Sequence, residues 1–148
     1  MSVKNPTNQK TMSTLTSKSN SVKVPAGKYW LGDPCYVIES EDWSKVCDAF
    51  FADENQGKSV VQVDLGNGNT VVLCQTAWGD GEYRSSKGHI LPVDSGTIGL
   101  VSLAYDPEFK SNFDLCSEVE FTVDTTVDNF GGIMYFGTIR VDTKGEDE

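Results

Sequence analysis

The sequence contains few of the residues that build common metal and thiol sites. It has a single histidine, His89, which excludes a zinc site built on a histidine pair. The cysteines form no CxxC spacing, so no thiol–metal motif is indicated; they are Cys35, Cys47, Cys74 and Cys116. Free thiols in a reducing compartment are the expected state, and no cofactor is predicted.

Long apolar runs are also missing. No stretch approaches the ~20 apolar residues of a membrane-spanning helix, and residues 1–24 lack the apolar core of a secretory signal. We therefore expect no membrane association and a cytoplasmic location.

Basic charge is scarce outside the N-terminal region. Residues 1–28 contain five lysines and no acidic residue, whereas residues 29–148 contain all 22 acidic residues and seven basic ones. A negative field of this kind repels nucleic acid and favours basic proteins, cationic ligands or divalent metal ions. Nucleic-acid binding is therefore not expected.

Length and composition predict one domain with short appendages. Residues 1–24 are rich in Ser, Thr, Asn and Lys and predict a mobile basic leader, in which Met12 is a second candidate start beside Met1. Residues 25–143 form the predicted β-rich domain, and residues 144–148 form an acidic tail. Leaders of this type also pack on neighbouring subunits, so a homo-oligomer is a further prediction.

Periodicity predicts one helix at Glu41–Phe51, with Ser40 as its N-cap. Its expected apolar face consists of Trp43, Val46, Cys47, Phe50 and Phe51. Tyr36–Ile38 is expected to be extended. The predicted strands are Lys28–Leu31, Ser59–Leu65, Thr70–Thr76, Ile90–Val93, Thr97–Ala104, Glu118–Asp124 and Gly132–Val141. The fold class is thus α+β, mainly antiparallel β in a barrel or sandwich, with one helix at about residues 41–51.

Three tight aspartate turns are the most site-like features. They are Gly32-Asp33-Pro34-Cys35-Tyr36, Gly79-Asp80-Gly81-Glu82-Tyr83 and Val93-Asp94-Ser95-Gly96-Thr97-Ile98-Gly99. Asp beside Gly or Pro is common turn chemistry, so purely structural turns are one interpretation. The other interpretation is that the three turns converge at one end of a sheet.

Convergent turns predict a ligand-binding site with aromatic walls. Its candidate residues are Asp33, Tyr36, Trp78, Asp80, Tyr83, Asp94 and Ser95. The carboxylates of Asp33, Asp80 and Asp94 are also candidates for binding Mg²⁺ or Ca²⁺.

Two catalytic alternatives remain open. Val93–Thr97 and Met134–Gly137 resemble elements of retroviral-type aspartic proteases, which implies Asp94 as the catalytic residue of a homodimer. A nucleophile–base pair is the other alternative, either His89 with Ser95 and Asp94 or Cys35 with His89.

The three aspartate turns, in this order and preceded by Tyr29-Trp30-Leu31, resemble a family of small tailed-phage and bacterial proteins of unassigned chemistry. The resemblance covers about residues 28–141. It implies a phage accessory protein acting in the host cytoplasm, or a minor virion structural protein. Our leading hypothesis is a non-enzymatic protein that binds a small ligand or a host protein, as in counter-defence.

Overall fold

A computed structural model describes residues 21–66, 69–105 and 113–144. Most of the predicted leader and acidic tail lie outside these residues, as do Asn67 and Gly68 of the predicted hairpin loop. Residues 21–24, which the sequence assigned to the leader, form a strand.

The described residues form one α-helix and eleven strands. The helix, α1, spans Ser40–Phe50. The strands are β1 (Ser21–Val24), β2 (Gly27–Gly32), β3 (Val60–Gly66), β4 (Asn69–Gln75), β5 (Gly81–Arg84), β6 (Ile90–Val93), β7 (Thr97–Ser102), β8 (Ser117–Phe121), β9 (Thr125–Phe130), β10 (Ile133–Phe136) and β11 (Ile139–Asp142). Short 3₁₀ turns lie at Pro34–Tyr36, Asp53–Asn55 and Phe113–Leu115.

The strands form three antiparallel sheets. A five-stranded sheet has the order β3-β4-β7-β2-β8, a four-stranded sheet has the order β1-β9-β10-β11, and β5 pairs with β6. This mainly antiparallel, sandwich-like α+β arrangement confirms the predicted fold class.

The five-stranded sheet carries an apolar cluster on each face, because side chains alternate along its strands. On β4, Val72 and Cys74 belong to the cluster shared with the four-stranded sheet, which contributes Met134 and Phe136 among others. The intervening β4 residues Val71 and Leu73 belong to the second cluster, which includes Val46 of α1. The five-stranded sheet therefore lies between α1 and the four-stranded sheet.

The helix prediction is correct in place and wrong at its ends. The N-cap is Glu39 without a side-chain cap bond, and Ser40 is the first helical residue. Phe51, expected on the buried face, follows the helix and is 78% exposed. Val46 is fully buried, as expected.

Most strands lie close to their predicted ranges, and the hairpin pairs β3 with β4 as expected. Tyr36–Ile38 is not extended, because Asp33 and Pro34 start a 3₁₀ turn there. Val123, expected to point inward, is 68% exposed because β8 ends at Phe121. β1, β5 and β9 were not predicted.

The predicted strand Gly132–Val141 is in fact a hairpin. Gly137 and Thr138 form a two-residue turn, and Phe136 pairs with Ile139 across it. Directly paired residues lie on the same face of a sheet. After this two-residue turn, the odd-numbered residues of β11 therefore lie on the face that the even-numbered residues of β10 occupy. Met134 and Val141 are therefore both buried, although continuous alternation placed them on opposite faces.

Within residues 21–66, 69–105 and 113–144, no helix has the length and apolar composition of a membrane span.

Candidate binding surface

Asp33 is buried in the first aspartate turn, with 0% of its surface exposed. It caps the 3₁₀ turn Pro34–Tyr36, where its Oδ1 accepts a hydrogen bond from the Cys35 amide at 3.0 Å. Its Oδ2 accepts bonds of 2.7 Å from the amides of Asp94 and Ser95. The Ser95 hydroxyl donates to Oδ1, also at 2.7 Å. Four donors surround this carboxylate, so it has no exposed oxygen to offer a ligand.

The third aspartate turn joins β6 to β7 and is fixed by these bonds. Ser95 donates its only hydroxyl hydrogen to Asp33, so Thr97 must be the donor in the 2.7 Å contact between the Ser95 and Thr97 hydroxyls. Gly96 has φ +78°, a conformation that L side chains rarely adopt. The turn therefore has a defined backbone and a buried anchor.

The carboxylate of Asp94, in contrast, is exposed. Its Oδ2 accepts a hydrogen bond of 3.1 Å from the hydroxyl of Tyr36. Desolvation raises the pKa of Tyr36, and its hydrogen bond to Asp94 raises that pKa further. Tyr36 and Asp94 are thus two candidate residues that the structure brings into direct contact.

An exposed tryptophan, Trp78, directly precedes the second aspartate turn and is positioned by a hydrogen bond. Trp78 is 73% exposed, and its Nε1 donates to the Lys144 carbonyl at 2.8 Å. The Thr76 hydroxyl accepts from the Gly79 amide at 2.7 Å and donates to the Gly79 carbonyl at 2.9 Å. The hydroxyl of Tyr83 donates to that same carbonyl at 2.9 Å, so this candidate residue braces the turn.

The second and third turns lie side by side. The Thr76 amide donates to the Gly96 carbonyl at 3.0 Å. A Cβ at Gly96 would lie 3.9 Å from the Gly79 Cα. Since the Asp33 carboxylate binds the third turn, the third turn contacts both of the others. Asp80 and Asp94 are exposed while Asp33 is buried.

The three aspartates do not form a metal site. Within the part of the chain that the structure describes, no group of three or more His, Cys, Asp or Glu side chains is arranged to hold a metal ion. The Asp33 carboxylate cannot serve as a metal ligand, because amide and hydroxyl donors already bind both of its oxygens.

The thiols beside the first turn are poorly suited to nucleophilic chemistry, because the thiolate is the reactive form. Desolvation, with Asp33 adding to it, raises the pKa of Cys35 well above its usual range. Desolvation and Asp33 likewise raise the pKa of Cys116 to about 12. The Cys116 thiol donates to the Asp33 carbonyl at 3.5 Å.

His89 is paired with Ser85 and not with the expected Ser95 or Cys35. The Ser85 Oγ lies 2.8 Å from His89 Nδ1 and accepts the amides of Lys87 and His89, each at 3.1 Å. Ser85 is 5% exposed. The pair therefore closes a local loop between β5 and β6.

The two elements of the protease-like pattern have separate neighbours. Asp94 accepts from Tyr36, and its amide is bound by Asp33. Gly137 lies in the turn between β10 and β11, where an added Cβ would meet Thr125 and Phe121.

The end of α1 contributes a residue to this surface that the sequence pattern did not indicate. The exposed Phe51 lines a cavity of about 40 Å³ together with Ser95 and Thr97 of the third turn. The apolar pattern suggested burial for Phe51, and no local signal indicated otherwise. Phe51 therefore lies beside the third turn, as Trp78 lies beside the second. They are the two most exposed large apolar side chains of the described residues.

Comparison of the chain with protein-family models, curated proteins and solved structures finds no match.

Proposed function

We propose that this chain is a non-enzymatic binding protein that captures a basic protein partner on the surface formed by its second and third aspartate turns. We call this the turn surface; it comprises Phe51, Trp78, Asp80, Glu82, Asp94 and Ser95. The exposed but hydrogen-bonded Trp78 is the observation that supports it most.

Trp78 has the properties of an interface anchor. Tryptophan is enriched among residues that dominate binding energy. The bond from its Nε1 to the Lys144 carbonyl restricts the indole. The Ala77 amide donates to Thr143 Oγ1 at 2.9 Å and fixes the adjoining backbone. A side chain ordered before binding loses less entropy when a partner covers it.

The charge of the turn surface favours a basic partner. Asp80, Glu82 and Asp94 are exposed, and none of them forms a salt bridge within the described ranges. Exposed carboxylates around an aromatic anchor speed the approach of a positively charged protein and select against acidic ones. Lysine or arginine side chains can also lie over the indole face.

A protein fits this surface better than a small molecule. The described cavity that Phe51 and Ser95 line has about 40 Å³. Pockets for small ligands typically have about 300–1,000 Å³. An exposed aromatic anchor is typical of a protein interface.

The resemblance to small tailed-phage and bacterial proteins makes a host protein the expected partner, met in the host cytoplasm. Inhibition of a host defence protein is the role we propose for such capture.

The test compares capture from bacterial lysate by immobilised wild type and by variants. Trp78→Ala removes the anchor, and Asp80→Asn with Asp94→Asn removes two charges. Phe130→Ala is the matched control, because Phe130 is an exposed aromatic side chain (51%) that belongs to neither the second nor the third turn. We expect a basic protein retained by wild type and control, with retention reduced about tenfold or more by Trp78→Ala.

Retention of the same proteins at the same level by wild type and Trp78→Ala would contradict the proposal. So would the reproducible absence of any captured protein. Asp94→Asn also tests the protease alternative, because a catalytic Asp94 requires a hydrolytic activity in wild type that this variant lacks.

A further inference from the structure

A second surface, which shares no residue with the turn surface, lies at the turns that join β8 to β9 and β10 to β11. It is a groove of about 400 Å³, which we call the acidic groove. It is lined by Glu120, Phe121, Thr122, Val123, Asp124, Thr125, Thr126, Asp128, Gly137 and Thr138.

The acidic groove combines negative charge with apolar surface. Its lining includes three carboxylates and no basic side chain. Two described lysines flank the lining, because Lys28 lies opposite Glu120 and Lys23 lies opposite Thr126 in the strand pairings. Val123 is 68% exposed, and Phe121 is half-buried against the core. Lysine fits such a surface, because its aliphatic stem packs on apolar groups while its ammonium group meets carboxylates.

The start of the described chain lies at the edge of this groove. In the pairing of β1 with β9, Ser21 lies opposite Asp128 and Lys23 lies opposite Thr126. Asp128 and Thr126 both line the groove. The residues that precede Ser21 therefore leave the fold beside Asp128, at the margin of the groove. Because β1 runs from Asp128 toward the β8–β9 turn, a segment before Ser21 reaches Glu120 only by turning back along the sheet.

The chain before Ser21 has the complementary charge. Residues 1–20 contain Lys4, Lys10 and Lys18 and no acidic residue. Lys18 is three residues from Ser21, a span of at most about 10 Å when extended. A segment tethered this closely has an effective concentration in the millimolar range, so weak individual contacts suffice.

We propose that residues 1–20 dock in the acidic groove of their own chain, with their lysines opposite Glu120 and Asp128. Asp124 also lines the groove, but its Oδ1 already accepts a hydrogen bond from the Ala26 amide at 3.2 Å. The docked segment covers Val123 and neutralises part of the acidic surface. This inference does not depend on the turn surface or its partner.

The experiment records ¹H–¹⁵N spectra of the full chain at about 10 mM and about 1 M salt, where the Debye length falls from about 30 Å to about 3 Å. The leader variant is Lys4→Gln/Lys10→Gln/Lys18→Gln. The control, Lys45→Gln/Lys87→Gln/Lys144→Gln, changes the net charge equally, and none of its residues lines the groove. We expect the amide resonances of residues 122–126 and 137–138 to differ between wild type and the leader variant at low salt. Wild type and control should agree there.

A second pair of substitutions reads the contact from the other side. In Glu120→Gln/Asp128→Asn, resonances of residues 1–20 should shift toward the positions that they have in wild type at high salt. Groove resonances that are identical in wild type and the leader variant at low salt would overturn the proposal. Shifts that disappear on tenfold dilution would overturn it too, because they would place the segment on a second copy.

Discussion

Asp33 and Asp94 belong to turns that contact each other, yet their carboxylates have opposite environments. Asp33 is fully buried and accepts four hydrogen bonds, three of them from Asp94 and Ser95. Asp94 is exposed and accepts one side-chain bond, from Tyr36. The same residue type in similar local sequence thus has a structural role in one turn and is presented at the surface in the other.

The largest expected difference between the two residues is in stability. Asp33→Asn replaces one accepting oxygen with an NH₂ group. The N–H or O–H donors that face this group then lack an acceptor in a buried position. We expect the free energy of unfolding to fall by about 3 kcal/mol, from the loss of charged hydrogen bonds. Asp94→Asn is the matched control and should change it by less than about 0.5 kcal/mol. Equal losses in urea denaturation would contradict the contrast.

Ser95→Ala tests the link between the two turns. The variant removes the donor to Asp33 Oδ1 and the acceptor of the buried Thr97 hydroxyl. Because Thr97 then lacks this partner, we expect a loss of about 1–2 kcal/mol in the free energy of unfolding. An unchanged denaturation midpoint would show that the hydroxyl contributes nothing to the link.

The Cys116 thiol, which lies against the first turn, gives this region a pH dependence. The pKa of Cys116 is about 12 in the folded chain, raised first by desolvation and then by Asp33, against an ordinary value of 9.0. Above about pH 9 the unfolded chain loses this proton while the folded chain keeps it, so Cys116 lowers stability as the pH rises.

The expected result is a stability of wild type relative to Cys116→Ala that declines between pH 8 and pH 10, by at most about 1.4 kcal/mol per pH unit. Titration of other groups cancels in this comparison. Urea denaturation of both proteins across this range measures the decline, and a constant difference would contradict the raised pKa.

The smallest effect is expected at the exposed side. Tyr36→Phe removes the hydroxyl bond to Asp94 at a partly exposed position, where water replaces the lost donor. We expect a change below about 0.5 kcal/mol in thermal or urea unfolding. A loss as large as that of Asp33→Asn would mean that Asp94 is structural as well.

The sequence carried enough information for the fold class because its strongest patterns are local. Two alternating runs joined by a Gly- and Asn-rich loop predicted the β3–β4 hairpin, and the apolar spacing around Val46 predicted α1. The Gly137-Thr138 turn was missed because the alternation of residue types continues through it. A two-residue turn containing glycine was the available signal.

The distinct role of Asp33 was not predictable from the sequence. Its capping of the Pro34–Tyr36 turn has a local signal, since Asp followed by Pro is a typical helix start. Its other donors lie 61 and 62 residues away, at Asp94 and Ser95. No spacing rule connects such positions, so only the tertiary structure separates the buried aspartate from the exposed ones.

Native-state hydrogen exchange of three amides tests the central contrast most directly. The Asp94 and Ser95 amides donate to a buried carboxylate, whereas the Asp80 amide has no acceptor among the described residues. We predict that the Asp94 and Ser95 amides exchange much more slowly than that of Asp80, and that Asp33→Asn removes this protection. Exchange of all three amides at one rate in wild type would contradict the role assigned to Asp33.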